Sequence, residues 1–199
     1  MVTLYLCVEG GGSDSTDLRA ECRRGFRTLL ERAGFAGRMP RLVACGGRRE
    51  AFNAFCNHLA LGHAVLLLVD SEEEVSAASP WAHVAQRKGD GWKQPAGSTD
   101  DHLHFMVRSM EGWLLADRDA LAEYYGSGFA TNQLPPQKPV DTIDRHDAVK
   151  ALEAASKHTR KGKYAKGEHS FDLLCRVSPT KVRKEAWAER FFVALNKTL

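Results

Sequence analysis

The fold is decided by residues 63–73, whose sequence is HAVLLLVDSEE. The apolar run over residues 64–69 suits one strand and is far too short to cross a membrane. A strand that is apolar without alternation is typical of a parallel sheet covered on both faces. The run stops at Asp70, and Glu72 follows two residues later. This stretch therefore predicts a buried parallel strand that carries carboxylates at its carboxyl end.

Two strand–helix units precede this strand. Residues 3–8 favour a strand, and the helical spacing of apolar residues after it continues to Gly34 and Gly37. Residues 41–44 favour a second strand and residues 48–61 a second helix. The alternation predicts an α/β fold, Rossmann-like, with a mostly parallel central sheet flanked by helices. The candidate caps of the first helix are Asp14, Ser15, Thr16 and Asp17.

The second half of the sequence predicts one more strand, at residues 102–107, and then helices. A helical pattern over residues 110–125 is broken or bent near Asp117. Ser178 precedes a proline and is a natural cap for a final helix from residue 179 onward. The other helices are predicted at residues 81–87, 147–157 and 170–177. We divide the chain into a core, residues 1–130, and a helical basic C-terminal extension, residues 131–199.

Composition narrows the class of protein. The chain has 199 residues, 43% hydrophobic and 27% charged, which suits one folded domain with a sizeable core. It shows no apolar stretch long enough to span a membrane. Its N-terminus also lacks the basic region followed by a long apolar stretch that is typical of a signal peptide, so we expect a cytoplasmic protein. Five cysteines without matched spacing indicate reduced thiols and not disulfides or structural zinc.

The charge is divided unevenly along the chain. The net charge is +3, but residues 145–199 contain 13 Lys and Arg against 6 Asp and Glu. The C-terminal quarter is therefore the basic arm, and the preceding residues are acidic overall. A basic arm of this kind is expected to hold an anionic partner such as a nucleic acid backbone.

Candidate chemistry lies where the strands end. Glu9 ends the first strand, Asp70 ends the third, and Glu72 lies two residues beyond. If the two strands are neighbours, three carboxylates converge, and their repulsion favours a bound Mg²⁺ or Mn²⁺. Glu9 would then be a metal ligand or a general base, and glycines 10–12 would admit a phosphate-bearing substrate. A solvated carboxylate followed by an ordinary turn is the simpler alternative for Glu9.

Several other residues have two interpretations. Glu111 begins a helix after the fourth strand, so it either helps to hold a second metal or interacts with the helix dipole. Trp113 is interpreted as a core residue and not as a stacking platform. His102 and His104 lack a third ligand at a recognisable spacing and are interpreted as structural. The EGGG turn is not a phosphate-binding loop for ATP, because no Gly-Lys-Ser or Gly-Lys-Thr follows.

Basic residues fall into two groups. Arg19, Arg23 and Arg27 lie four apart on one helix and are interpreted as a solvated face. The sequence RKGKYAK, residues 160–166, interleaves basic residues with Tyr164, which suits a phosphate backbone and a stacked base. The candidate nucleic-acid-binding residues are Arg48, Arg49, Arg160, Lys161 and Lys163.

The spacing of these motifs resembles a known family of domains. A strand followed by Glu-Gly, and after two helices a strand followed by Asp-x-acid, is similar to the TOPRIM domains of topoisomerases, bacterial primases and OLD-family nucleases. Longer segments resemble a small family of stand-alone TOPRIM-like proteins often encoded beside an ABC or SMC-like ATPase in loci of anti-phage defence. These segments are VEGGG, LRAECRRGF, GRMPRLVACGGRREAF, LLLVDSEE, PAGSTDDHLHFMVRSMEGWLLADRDAL and KGKYAKGEHSFDLLCRVSPTKVR.

The resemblance implies a metal-dependent site for phosphoryl transfer. Its metal ligands would be Glu9, Asp70 and Glu72, although TOPRIM domains usually carry Asp-x-Asp where this chain has Asp70-Ser71-Glu72. OLD-type nucleases use a lysine near the metals to stabilise transition-state charge, and here Lys166 or Lys163 would fill that role. We expect a metal-dependent nuclease that works with a separate ATPase. The alternative is a non-catalytic TOPRIM-like module that docks on that ATPase.

Overall fold

In the computed structural model of the protein, residues 3–12, 15–136 and 139–199 are described. Four parallel strands form one sheet in the order β2-β1-β3-β4. They are β1 Leu4–Val8, β2 Arg41–Ala44, β3 Ala64–Asp70 and β4 Leu103–Met106. Because the chain leaves β1 for one neighbour and returns to the other side for β3, strand order reverses between β1 and β3. Ligands of open parallel sheets bind at such a point, beyond the carboxyl ends of the strands.

Helices cover both faces of the sheet, as the continuous apolar sequence of β3 predicts. The first half of the chain provides α1 Thr16–Leu30, α2 Arg48–Ala60 and α3 Pro80–Gln86. The second half provides α4 Met110–Leu115, α5 Arg118–Tyr125, α6 Arg145–Ser156, α7 Ser170–Leu174, α8 Pro179–Val182 and α9 Ala186–Thr198. On one face, α1 and the helices from α4 onward pack against Leu4, Leu6 and Val8. On the other face, α2 and α3 pack against Cys7, Val65 and Leu67.

The predicted α/β class, the parallel sheet and the helical C-terminus are confirmed. Ser15 caps α1 by accepting a hydrogen bond from the Leu18 amide at 3.2 Å, and the alternative cap Asp14 lies outside the described residues. The break near Asp117 is also confirmed, since α4 ends at Leu115 and α5 begins at Arg118. Trp113 is a core residue, as expected. Within the described ranges, no helix has both the length and the apolar character needed to cross a membrane.

Some boundaries differ from the prediction. The helix predicted at residues 170–177 ends at Leu174, because the following amides turn back to bond the Leu173 carbonyl. The single helix predicted from residue 179 is two helices, α8 and α9. Ser178 precedes α8 but its hydroxyl makes no capping bond; its amide donates to Asp117 Oδ2 at 2.8 Å instead. His102 is not on β4, since it ends a short 3-10 turn, Asp100–His102.

Asp117 ties the C-terminal helices to the core. Its side chain caps α5 by accepting from the Ala120 amide at 3.2 Å, and it accepts from Lys181 Nζ at 2.7 Å as well as from Ser178. Burial raises the pKa of this carboxyl, but the hydrogen bonds from Lys181 and Ser178 outweigh burial, so the pKa lies below its ordinary value. The ionised form is therefore the one that the fold stabilises.

We predict that Asp117→Ala lowers the free energy of unfolding by roughly 2 kcal/mol, because it removes a helix cap and leaves the half-buried Ser178 amide unpaired. Asp119→Ala is the matched control, since Asp119 also pairs with Lys181 but is almost fully exposed; its loss is expected to cost less than about 0.5 kcal/mol. Urea unfolding of both variants measures the difference. The gap between wild type and Asp117→Ala should narrow as pH falls through the folded-state pKa of Asp117. Equal costs for the two variants would contradict this role.

Candidate functional site

Three carboxylates meet at the point where strand order reverses. β1 and β3 pair in parallel, with Val8 opposite Leu68, so Glu9 lies beside the end of β3. The Asp70 amide donates to Glu9 Oε2 at 3.1 Å. One carboxylate oxygen each from Glu9, Asp70 and Glu72 lies within 4.8 Å of the others. The structure thus brings together the three acidic residues that the sequence singles out.

The backbone of Glu72 has an unusual conformation that places its side chain. Its φ is +69°, the left-handed region, and among the described residues it is the one non-glycine with positive φ. The Glu72 amide donates to the Arg108 carbonyl at 2.8 Å, which holds the turn. Left-handed backbone costs a residue with a side chain of order 1 kcal/mol, and such strain clusters at functional sites.

The Asp70 carboxyl is almost fully buried, with 5% of the residue exposed. Burial raises its pKa to about 8, with a further contribution from the neighbouring Glu9. Burial also raises the pKa of Glu9, and the attraction of Arg48 offsets only part of that rise. Two neighbouring carboxyls with raised pKa values mark a place where additional positive charge would be stabilised.

Glu111 adds a fourth carboxylate next to the cluster, and the Lys166 ammonium lies between it and Asp70. Lys166 Nζ lies 3.7 Å from Asp70 Oδ2 and 3.7 Å from Glu111 Oε2. Glu111 is fully buried; its Oε1 accepts from the Tyr164 hydroxyl at 2.8 Å, whereas its Oε2 accepts no hydrogen bond from the described residues. Burial lowers the pKa of Lys166, but Asp70 and Glu111 outweigh it, so the pKa is raised and the ammonium is stabilised.

Three arginines already face the carboxylates. Arg48 lies 3.7 Å from Glu9 Oε2, donates to the Asp70 carbonyl and pairs with Asp90 at 2.7 Å. Arg145 pairs with Glu72, and Arg87 lies 3.8 Å from the same carboxylate. Arg145 is 40% exposed at its side chain, so it can move into solvent more easily than Arg48, which is 11% exposed. Of the three guanidinium groups, that of Arg48 is therefore fixed and that of Arg145 is displaceable.

A cavity of about 270 Å³ opens next to the carboxylates. Its walls include Glu9, Asp70 and Lys166 on the polar side and Met110 and Phe171 on the apolar side. The glycine turn after Glu9 forms its rim. At Gly11, where φ is +90°, a side-chain Cβ would lie 2.8 Å from the Arg19 Cα. Glycine is needed there because the turn presses directly on α1, which leaves the cavity open beside Glu9.

The predicted basic residues fall into two groups, those that reach the carboxylates and those that do not. Arg48 and Lys166 belong to the site. Arg49 is exposed at the start of α2, Lys161 Nζ lies 4.5 Å from the Tyr124 ring, and Lys163 pairs with Glu153 at 2.8 Å. None of these three, nor the exposed Arg160, contacts the carboxylates.

The expectation that Tyr164 stacks on a base is wrong. Tyr164 is only 3% exposed, and its hydroxyl donates to Glu111, so the ring cannot stack on a base. Sequence reasoning also missed Arg145, Arg87 and Asp90, which carry no motif of their own. Arg145 begins α6, whereas Arg87 and Asp90 lie at the end of α3 and in the turn that follows it. His102 and His104 are structural: each hydrogen-bonds within residues 99–104.

The fold and the site define a parallel α/β protein with an acidic cluster where strand order reverses. The chain belongs to the DUF4276 family, a domain of unknown function, whose model matches residues 8–196. A comparison with curated proteins found no significant match, and a comparison with solved structures found none.

We predict that a divalent cation stabilises the fold through the acidic cluster. A ligand that binds only the folded state adds about 2.7 kcal/mol at 100 times its dissociation constant. The melting temperature of the wild type should therefore rise with millimolar Mn²⁺ or Mg²⁺, and Asp70→Asn should abolish the rise. Glu74→Gln is the control, because Glu74 is 75% exposed and lies outside the cluster. An equal rise in the Asp70→Asn variant would place any cation elsewhere.

Proposed function

We propose that the protein is a divalent-metal-dependent nuclease that hydrolyses phosphodiester bonds of DNA or RNA with Mg²⁺ or Mn²⁺. The observation that carries this proposal is the cluster of Glu9, Asp70 and Glu72 at the ends of adjacent parallel strands. The same arrangement supports the proposed relationship to TOPRIM domains, because strand-Glu-Gly and strand-Asp-x-acid become spatial neighbours here.

The donor set fits a hard cation. Carboxylate oxygens are the ligands that Mg²⁺ and Mn²⁺ prefer. Asp70 and Glu9, with raised pKa values, are carboxyls whose ionised forms lack full compensation. The buried Glu111 Oε2, which accepts no hydrogen bond within the part of the chain that the structure describes, is a further unsatisfied oxygen beside them. Glu9, Asp70 and Glu72 would hold the ion, with Glu111 available for a second one.

The protein's own groups have distinct roles in this proposal. A bound divalent ion supplies an activated water and polarises the phosphoryl group. Arg48 keeps Glu9 and the end of β3 in position through its contacts with both. Lys166 places an ammonium at the cavity wall, where it would stabilise negative charge that develops on the phosphate in the transition state. The apolar wall of Met110 and Phe171 limits water around the reacting group.

We further propose that a separate ATPase regulates the activity. The glycine turn at residues 10–12 is followed by no Gly-Lys-Ser or Gly-Lys-Thr, so this turn does not offer an ATP site of the phosphate-loop type. The family resemblance points to an ABC or SMC-like ATPase and to anti-phage defence. Cleavage by the isolated chain should then be weak and should rise when such a partner is added.

The alternative function is a non-catalytic module that docks on such a partner. It is favoured by one observation: Arg48, Arg87 and Arg145 already bring positive charge to Glu9 and Glu72. In that case the arginines would replace the cation. A measurement of metal binding distinguishes the two functions, because the docking module needs no metal ion.

We predict that Glu9→Gln and Asp70→Asn each lower metal-dependent cleavage by roughly 10²-fold or more, because each removes a charged ligand while keeping the side-chain shape. Plasmid, linear DNA and RNA incubated with Mg²⁺, Mn²⁺ or EDTA provide the measurement. Glu74→Gln should cleave like the wild type. Wild-type rates in either ligand variant would refute the assignment.

We predict that Lys166→Ala lowers the single-turnover rate by roughly 10²-fold while substrate affinity stays nearly unchanged, because its ammonium would act on charge present only in the transition state. Lys157→Ala removes the same charge from an exposed position at the end of α6 and serves as the control. A fall in affinity with an unchanged rate would show that Lys166 is a substrate-holding residue instead.

A further inference from the structure

A basic groove of about 430 Å³ lies between α1 and the chain that enters β2. Arg23, Arg24 and Arg27 form its α1 side, and Met39, Pro40 and Leu42 form an apolar floor. Arg41 also lines it, but the Arg41 guanidinium lies over the Tyr5 ring, 5.9 Å from its centroid. The described lining thus consists of four arginines and three apolar residues, so the groove carries an excess of positive charge even though Arg24 and Arg27 pair with nearby carboxylates.

The arginines form a row that connects the groove to the carboxylate site. Arg19, Arg23 and Arg27 are four residues apart, so each step along the helix axis is about 6 Å. This interval is comparable to the spacing of successive phosphates along an extended single strand. At the other end of the row, Arg19 Nε donates to the Gly12 carbonyl at 3.4 Å, within the turn that follows Glu9. The row therefore runs from the site, at the carboxyl ends of the strands, toward their amino ends, where β2 begins.

Two of the charges in the groove, those of Arg23 and Arg27, are available to a ligand. Arg23 is exposed and makes no hydrogen bond or ion pair within the described part of the chain. Arg27 pairs with Glu31 at 2.8 Å, but its side chain is 66% exposed, and exposed pairs of this kind contribute little and exchange readily. Arg24 is held by Glu21 and Asp172 and so fixes the groove wall.

We propose that this groove binds the backbone of a single-stranded nucleic acid and leads the strand along α1 to the carboxylate site. The phosphates contact Arg23 and Arg27, and the bases lie against the apolar floor. A single row of arginines beside one groove follows one backbone. The direction of the strand toward the site rests on the proposed nuclease function, whereas binding in the groove does not.

The test is binding of a fluorescent single-stranded oligonucleotide in EDTA, over a series of salt concentrations. Without metal no cleavage occurs, so binding and nuclease function are judged separately. Each lost phosphate contact lowers the slope of log affinity against log salt by about 0.7. Arg23→Ala/Arg27→Ala should therefore lower the slope by about 1.4 and weaken binding roughly tenfold or more at 0.1 M salt. Lys150→Ala/Lys157→Ala removes the same charge from the exposed surface of α6 and should leave the slope unchanged.

Two further double variants and one alternative ligand, an acidic peptide, complete the test. Arg23→Lys/Arg27→Lys keeps the charge and should restore most of the slope, which would show that positive charge at these two positions is what binding requires. An equal loss of slope and affinity in the α6 control would show that net charge alone determines binding and would overturn the assignment of the binding site to the groove. A loss confined to Lys161→Ala/Lys163→Ala would assign binding to the loop at residues 160–166 instead. Binding of a fluorescent acidic peptide, with no binding of the oligonucleotide, would overturn the proposal in favour of a protein partner.

Discussion

The structure of the site depends on one buried carboxylate, that of Asp70. It lies at the end of the central strand β3, and its Oδ1 accepts the Met110 amide at 2.8 Å, which fixes where α4 begins. Its backbone amide orients Glu9 and its backbone carbonyl accepts from Arg48. A buried carboxylate must be compensated by hydrogen bonds or by positive charge. Its pKa of about 8 indicates that the compensation is incomplete.

The compensating groups come from distant parts of the chain. Lys166 and Tyr164 lie in the segment before α7, and Arg145 begins α6, yet all three contact acidic residues of the cluster. The C-terminal helices therefore do more than cover the sheet. They bring positive charge to carboxyls that adjacent parallel strands force together, and they leave a cavity beside them. An arrangement that keeps like charges close at a cost in stability is typical of a functional site.

The sequence predicts the sheet edge well because strand ends follow a local rule. Continuous apolar residues end at Asp70, and a glycine turn follows Glu9, so both positions are readable from neighbours in the chain. The contact of Lys166 with Glu111 is different, since no local pattern in the 54 intervening positions indicates it. Only the resemblance to OLD-type nucleases placed Lys166 or Lys163 near the metals. Tyr164 shows why composition misleads: basic neighbours predict an exposed ring, but a buried glutamate takes its hydroxyl. The groove beside α1 also escaped prediction, because an arginine row looks the same on a solvated helix and on a groove wall.

The central claim is that a divalent cation binds between Glu9, Asp70 and Glu72. A crystal of the full chain soaked in Mn²⁺, with anomalous diffraction recorded at the manganese edge, tests it most directly. The account predicts one strong peak in direct contact with oxygens of Asp70 and Glu9, with Arg145 displaced from Glu72. A map with no anomalous peak at the cluster and with Arg145 still paired to Glu72 would contradict the account and favour the docking module.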